Sequence, residues 1–174
     1  IQREKINPKN LKSYIQKKEK KVIKFSSKYK KILNLILKAK RPILILGWGV
    51  HLSNSYKEIN LLINKLKFPV VTTWAMSHII EDNNKLKIGT WGTHGTRFSN
   101  FAVQNSDLIL SLGSRLDTKA TGSPVNTFAR EAKKIVVDID KTELNKFKKF
   151  RLDIDIKINE DLKIFTKKLL KYNL

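Results

Sequence analysis

Arg41-Pro42-Ile43-Leu44-Ile45-Leu46-Gly47-Trp48-Gly49 packs three signals into nine residues. Proline cannot continue a helix, and the four aliphatics that follow are too few to make one. A short apolar run between Pro and Gly reads as a buried strand, and the Gly-x-Gly beyond it reads as a tight turn at the strand's carboxyl end. The pattern recurs. Leu108-Ile109-Leu110-Ser111-Leu112 runs into Gly113-Ser114-Arg115, and Ile135-Val136-Val137 runs into Asp138-Ile139-Asp140.

Amphipathic segments separate these strands. Tyr29, Ile32, Leu33, Ile36 and Leu37 recur at helical spacing from Ser26 or Ser27 to about Ala39. Ile59, Leu62, Ile63 and Leu66 do the same between Ser55 and Leu66. A strand is predicted at Pro69 to Thr73, a loop-rich stretch from Trp74 to Thr96, and a helix from about Arg97 to Gln104. Asp153-Ile154-Asp155-Ile156-Lys157-Ile158 alternates as a half-buried strand should, and Asn159 or Asp161 can start a last helix carrying Leu162, Phe165, Leu169 and Leu170. Strands alternating with helices predict right-handed βαβ units and a mainly parallel sheet. The expected fold is a three-layer Rossmann-like α/β domain.

In such open sheets ligands bind outside the carboxyl ends of the strands, so the turns at 47–49, 113–115 and 138–140 should converge on one crevice. Glycine there allows positive φ and close approach of backbone to phosphate. Gly47-Trp48-Gly49 falls short of the full G-x-G-x-x-G fingerprint, since Leu52 holds the third glycine position. Gly92-Thr93-His94-Gly95-Thr96 adds a further loop. His94 between two glycines either faces a ligand or is a solvated loop residue. Arg115 is either a bidentate phosphate grip or an ordinary surface cation. Asp138 and Asp140 either accept hydrogen bonds from ribose hydroxyls or, for Asp140, cap a helix beginning at Lys141. Trp48, Trp74 and Trp91 either wall a flat ligand or pack the interior.

Bulk composition narrows the classes. The 174 residues suit one domain, burying roughly 70% of the unfolded chain's surface. Having no cysteine, the chain offers no catalytic thiol, iron–sulfur ligand or thiolate zinc site. The three histidines, His51, His78 and His94, lack metal-ligand spacing, so no metal is expected. No paired nucleophile and base suggests catalysis. Of the net +21 charge, residues 1 to 41 carry +13, with 15 Lys/Arg against 2 Asp/Glu. Residues 1 to 25, polar and basic, are read as a linker or arm, and residues 26 to 174 as the domain. No apolar stretch reaches the ~18 residues of a membrane span. No aromatic pattern typical of a nucleic-acid reader accompanies the lysines. Two further classes stay open: a free-standing nucleotide-binding module, and a basic interaction protein that binds an anionic polymer.

The ordered set Arg41-Pro42-Ile43-Leu44-Ile45-Leu46-Gly47, Phe68-Pro69-Val70-Val71-Thr72-Thr73, Gly92-Thr93-His94-Gly95, Asn100 to Leu108, Gly113-Ser114-Arg115-Leu116-Asp117 and Val137-Asp138-Ile139-Asp140 resembles the central domain of thiamine diphosphate-dependent enzymes, nearest to the acetolactate synthase large subunit group. The resemblance covers about residues 26 to 150. It implies a six-stranded parallel sheet that, in different members, holds FAD, ADP or nothing. It also implies a parent enzyme whose other domains bind thiamine diphosphate and magnesium, which assembles as a homodimer or homotetramer, and which works in the cytoplasm. The activating glutamate and the Gly-Asp-Gly motif of those other domains are absent here, so the chain by itself is expected to be non-catalytic. By the same resemblance Gly47, Gly49 and Gly113 line a nucleotide crevice, the loop of His94 and Gly95 approaches the ribityl or flavin part, Arg115 meets phosphate, and Asp138 and Asp140 sit by the adenosine. Ile1-Gln2 resembles the tail of a preceding pyrimidine-binding domain. Three positions depart from the family pattern: Trp48 where glycine is common, Thr93 where methionine is common, and Lys119 where a second arginine is common.

Overall fold

The computed structural model describes Asn7 and residues 27–173, so the expected arm at 1–25 lies, Asn7 apart, outside the described residues. Among these residues six strands form one sheet: β1 (Pro42–Leu46), β2 (Val70–Thr72), β3 (Lys87–Thr90), β4 (Leu108–Leu112), β5 (Lys133–Asp138) and β6 (Ile156–Asn159). Every pairing is parallel, and the strands lie in the order β3-β2-β1-β4-β5-β6. The chain first works outward from β1 to one edge, then returns to build the other half from β4. The reversal between β1 and β4 is the topological switch point at which doubly wound sheets open a binding crevice.

Alternation along each strand builds two cores. Leu44, Leu46, Leu110 and Val137 face one side, where α1 (Ser27–Lys38), α3 (Tyr56–Leu66) and α7 (Leu162–Leu170) cover them with Ile32, Ile59, Leu62 and Phe165. Ile43, Ile45, Ile109 and Val136 face the other, under Val103 of α4 (Arg97–Gln104), Leu144 of α6 (Lys141–Asn145), Phe128 and Phe147. Each fully buried aliphatic here contributes about 1.5–3 kcal/mol. Helices on both faces of a parallel sheet give the expected three layers.

Five elements differ from the sequence reading. The stretch from Trp74 to Thr96 is not all loop: it holds a 3₁₀ segment over Trp74–Ile79 and the edge strand β3. The strand expected at 153–158 begins only at Ile156, because the Asp155 carboxylate turns to accept the Lys134 N–H at 2.9 Å and pairs with the Lys133 ammonium at 3.1 Å. Two single-turn helices, α2 (Gly49–Leu52) and α5 (Thr118–Thr121), follow the turns after β1 and β4.

Candidate functional site at the switch point

Strand register brings the turns together. Leu46 is level with Thr72 and Leu112, Thr72 with Thr90, and Leu112 with Val137. The ladder extends one residue further, with Gly47 N–H donating to Leu112 O at 3.0 Å, Thr73 N–H to Leu46 O at 2.9 Å and Gly113 N–H to Val137 O at 3.0 Å. The segments opening at Gly47, Thr73, Trp91, Gly113 and Asp138 therefore sit side by side at one end of the sheet.

The glycines serve contacts between the turns themselves. Gly49 N–H donates to Gly113 O at 3.0 Å. A Cβ on Gly47 would lie 2.2 Å from Ser114 Cα, and one on Gly49 would lie 2.7 Å from Gly113 Cα. Only Gly113 of the three has positive φ, +62°. The turns after β1 and β4 thus touch backbone to backbone, a closeness only glycine permits.

Above that floor lie two adjoining cavities of about 280 and 270 Å³. The first runs from Trp48 over Thr73, Trp74 and Trp91 to His94 and Lys119. The second runs from Trp48 over Leu52 and Ser53 to Asp138, Ile139 and Glu160. Trp48, Gly113 and Arg115 line both. The first cavity is aromatic with a cationic rim; the second is apolar with carboxylates. Trp48 and Trp74 are 43% and 71% exposed, whereas Trp91 is buried against Phe128 with ring centroids 5.5 Å apart. The Trp48 ring lies against His51 with centroids 4.3 Å apart, tilted by 30°.

The loop carrying His94 is pinned from two sides. Gly92 exchanges two hydrogen bonds with the Asn100 side chain, at 2.8 and 3.0 Å, and Thr93 donates twice to Lys119 O. Gly95 folds back until a Cβ there would lie 2.4 Å from Trp91 Cα. His94 itself is exposed on the cavity rim.

Arg115 occupies the left-handed region, φ +58°, as does the buried Leu116 at +46°. Its guanidinium donates to Glu143 Oε1 at 2.7 Å, and the other carboxylate oxygen of Glu143 accepts from Lys146 at 2.5 Å. The Arg115 hydrogen bond pulls the Glu143 carboxyl down to about 2, and the same contact raises Arg115. Asp138 is half-buried, and that burial pushes its carboxyl above the usual range. Its Oδ1 accepts from Asp140 N–H at 2.9 Å. Asp140 caps α6, accepting from Thr142 N–H at 2.7 Å, so the capping alternative describes its side chain. Asp140 is not among the residues lining either cavity.

Gly47, Gly49, Gly113, Arg115 and Asp138 are thus brought together at the switch point, with His94 and Gly95 on the adjoining loop. Sequence reasoning missed Glu143, which lies 28 residues from Arg115 and reaches it only because α6 starts beside the end of β5. It also missed Thr73, whose hydroxyl, like Trp91 Nε1, is buried without a partner beside the first cavity. Among the described residues no group of His, Asp and Glu could hold a metal ion, and no helix is long and apolar enough to cross a membrane.

Comparison with known proteins supplies the lineage. Residues 29–169 match the family model for the thiamine pyrophosphate enzyme central domain. A probable acetolactate synthase large subunit of Methanococcus aeolicus is 37% identical over 142 residues, covering 82% of this chain and 23% of the relative. The acetolactate synthase large subunit of Cyanidium caldarium is 40% identical over 143 residues, again 82% and 23%. That of Corynebacterium glutamicum is 38% identical over 122 residues, 70% and 19%. The chain therefore spans about a fifth of the length of the curated relatives it matches. With the six-stranded parallel sheet, its switch-point turns and this match over most of its length, the chain belongs to the thiamine pyrophosphate enzyme family as a central domain of the acetolactate synthase type.

Proposed function

We propose that this chain is the non-catalytic central domain of a thiamine diphosphate-dependent 2-keto acid carboligase or decarboxylase, where it acts as a scaffold and holds an adenine nucleotide, FAD or ADP, across the two cavities. The observation that carries the reading is the meeting of an aromatic cavity and a carboxylate-bearing one at Arg115, at the switch point of the sheet. A dinucleotide needs flat apolar walls at its ends, a cation between them for the diphosphate, and an acceptor for ribose hydroxyls. Trp74 supplies a flat wall in the first cavity, Leu52 and Ile139 an apolar surface in the second, Arg115 the cation and Asp138 the acceptor. The unpartnered Thr73 hydroxyl and Trp91 indole N–H fit a ligand as well, since buried polar groups ordinarily find partners. Asp138 and Asp140 each accept a local N–H through one carboxylate oxygen and keep the other, and of the two only Asp138 lines a cavity, which favours it as the ribose contact.

In the parent enzyme, thiamine diphosphate held with magnesium by other domains would supply the nucleophilic carbon that decarboxylates a 2-keto acid and joins the remaining fragment to a second carbonyl. On this reading the partners are those other domains, the assembly is a homodimer or homotetramer, and the location is the cytoplasm. The test is equilibrium titration of the 174-residue chain with FAD and ADP, followed by flavin and tryptophan fluorescence and by calorimetry. Saturable micromolar binding, much weakened in Arg115→Ala, supports the site. A folded chain that binds neither nucleotide overturns it and leaves a scaffold role.

A further inference from the structure

We propose that Glu143 is the positioning residue of this anion site, holding the Arg115 guanidinium where the two cavities meet. The inference rests on the reading of the junction as a diphosphate site. Three observations carry it.

The backbone at Arg115 is strained: Arg115 and Leu116 are successive non-glycine residues with φ of +58° and +46°. Such conformations persist only where the surroundings over-determine them, and they concentrate at functional sites. Here the buried Leu116 side chain anchors the turn beside Arg115.

The Arg115 side chain is otherwise free to wander, being 68% exposed. Glu143 is the fixed point. Its carboxylate is only 18% exposed, sits on α6 directly after β5, and is steadied from the far side by Lys146. One guanidinium nitrogen bonds Glu143, so the remaining donors of the planar fork stay available to an anion.

Charge decides whether Glu143 helps or competes. A lone carboxylate beside the cation would repel an incoming phosphate and cancel much of Arg115. Lys146 at 2.5 Å offsets that carboxylate, so the Lys146–Glu143–Arg115 triad retains one net positive charge. Removing Glu143 would raise it to two, so charge alone predicts tighter anion binding without Glu143 and only a loss of orientation predicts weaker. What Glu143 adds is then orientation, and a pre-placed side chain spares the ordering cost of binding. Asp117 and Asp138 are the other carboxylates acting on Arg115. The first caps α5 and the second accepts from the Asp140 N–H; neither hydrogen bond removes the negative charge, which Lys119 on the rim of the first cavity opposes.

The experiment is a double-mutant cycle read by calorimetric titration with inorganic pyrophosphate, using the full 174-residue chain at one low ionic strength. Folding of each variant is checked by circular dichroism. Glu143→Ala is expected to weaken pyrophosphate about fivefold in the unmutated background and not to weaken it in Arg115→Ala, where it only frees the Lys146 ammonium. Glu143→Gln still offers the guanidinium an acceptor and is expected to recover most of the loss. Unchanged or tighter binding by Glu143→Ala in the unmutated background overturns the inference, as does a loss that persists without Arg115 or a Gln variant no better than Ala. If the unmutated chain binds no pyrophosphate, or Arg115→Ala binds it equally well, the diphosphate reading of the junction falls and the inference falls with it.

Discussion

Gly49 and Gly113 meet backbone to backbone across the switch point, with the Gly49 N–H on the Gly113 carbonyl at 3.0 Å and room for no Cβ on either. The contact joins the first half of the doubly wound sheet to the second. The Gly-x-Gly turn thus earns its glycines from chain-to-chain packing, before any ligand is considered.

Gly113→Ala is expected to destabilise the chain by about 3 kcal/mol, since it adds a left-handed penalty of about 1–2 kcal/mol to a clash with the Gly49 backbone. Gly49→Ala has the clash alone, 2.7 Å from Gly113 Cα, and should cost less. Urea unfolding of both variants checks the order. Equal stability of Gly113→Ala and the unmutated chain would show that the two turns are free to separate.

The turns and the central strands were legible because their signals are local. β1 and β4 are five-residue apolar runs closed by glycine, and every residue of β4 is buried. β3 was not legible. Lys87-Ile88-Gly89-Thr90 is a half-exposed edge strand with lysine and glycine in it, and neither alternation nor an apolar run marks it. Asp155 misled for a related reason: its place in an alternating pattern hid a carboxylate committed to the start of β5. At the site, Gly113 and Arg115 follow a strand and Asp138 ends one, so all three could be read in line. Glu143 could not, because one glutamate in a lysine-rich segment carries no sign of a partner 28 residues earlier.

The Glu143 carboxyl sits at about 2 when folded, against an ordinary 4.5, chiefly through its hydrogen bond from Arg115. Because the folded value is the lower, the contribution is complete above about pH 4.5 and is lost as pH falls toward 2. Screening at the exposed Arg115 reduces the contribution to about 1–2 kcal/mol. Glu143→Gln should therefore lose that much less stability than the unmutated chain between pH 5 and pH 2, measured by denaturant unfolding. Asp107, raised by burial but lowered further by the Lys40 and Arg41 N–H groups, gives both proteins a shared acid limb.

Lys134 lies at the start of β5, 4% exposed, with its ammonium on Ala132 O at 2.8 Å. Burial holds its pKa below 10.5. The unfolded chain binds that proton more tightly, so Lys134 costs stability at neutral pH, and the cost fades as pH rises through the folded value toward 10.5. Lys134→Met, similar in volume, should be within about 1 kcal/mol of the unmutated chain or above it, since the carbonyl left unpaired offsets part of the gain. Thermal unfolding should show the variant's advantage shrinking between pH 7 and pH 10. A constant or growing difference would mean that Lys134 is not desolvated. Tyr29, whose hydroxyl burial also raises, is common to both proteins and drops out of the comparison.

Trp48 separates the two nucleotide readings. Its ring lines both cavities at their junction, so a ligand spanning them must pass it, whereas one confined to a single cavity need not. The ring lies tilted against His51, which bonds the Tyr56 hydroxyl at 2.6 Å. The Trp48 backbone, φ −57° and ψ −20°, suits alanine, and the side chain is 43% exposed, so Trp48→Ala should cost no more than about 1 kcal/mol of stability. Its effect on binding should be larger and selective. Widening the junction should strengthen FAD several-fold and leave ADP, which needs the Arg115 end and the carboxylate-bearing cavity, within about twofold. Paired fluorescence titrations of the unmutated chain and the variant measure both. Loss of FAD and ADP together would make Trp48 a wall of the site, and no change in either would place the ligand away from the junction.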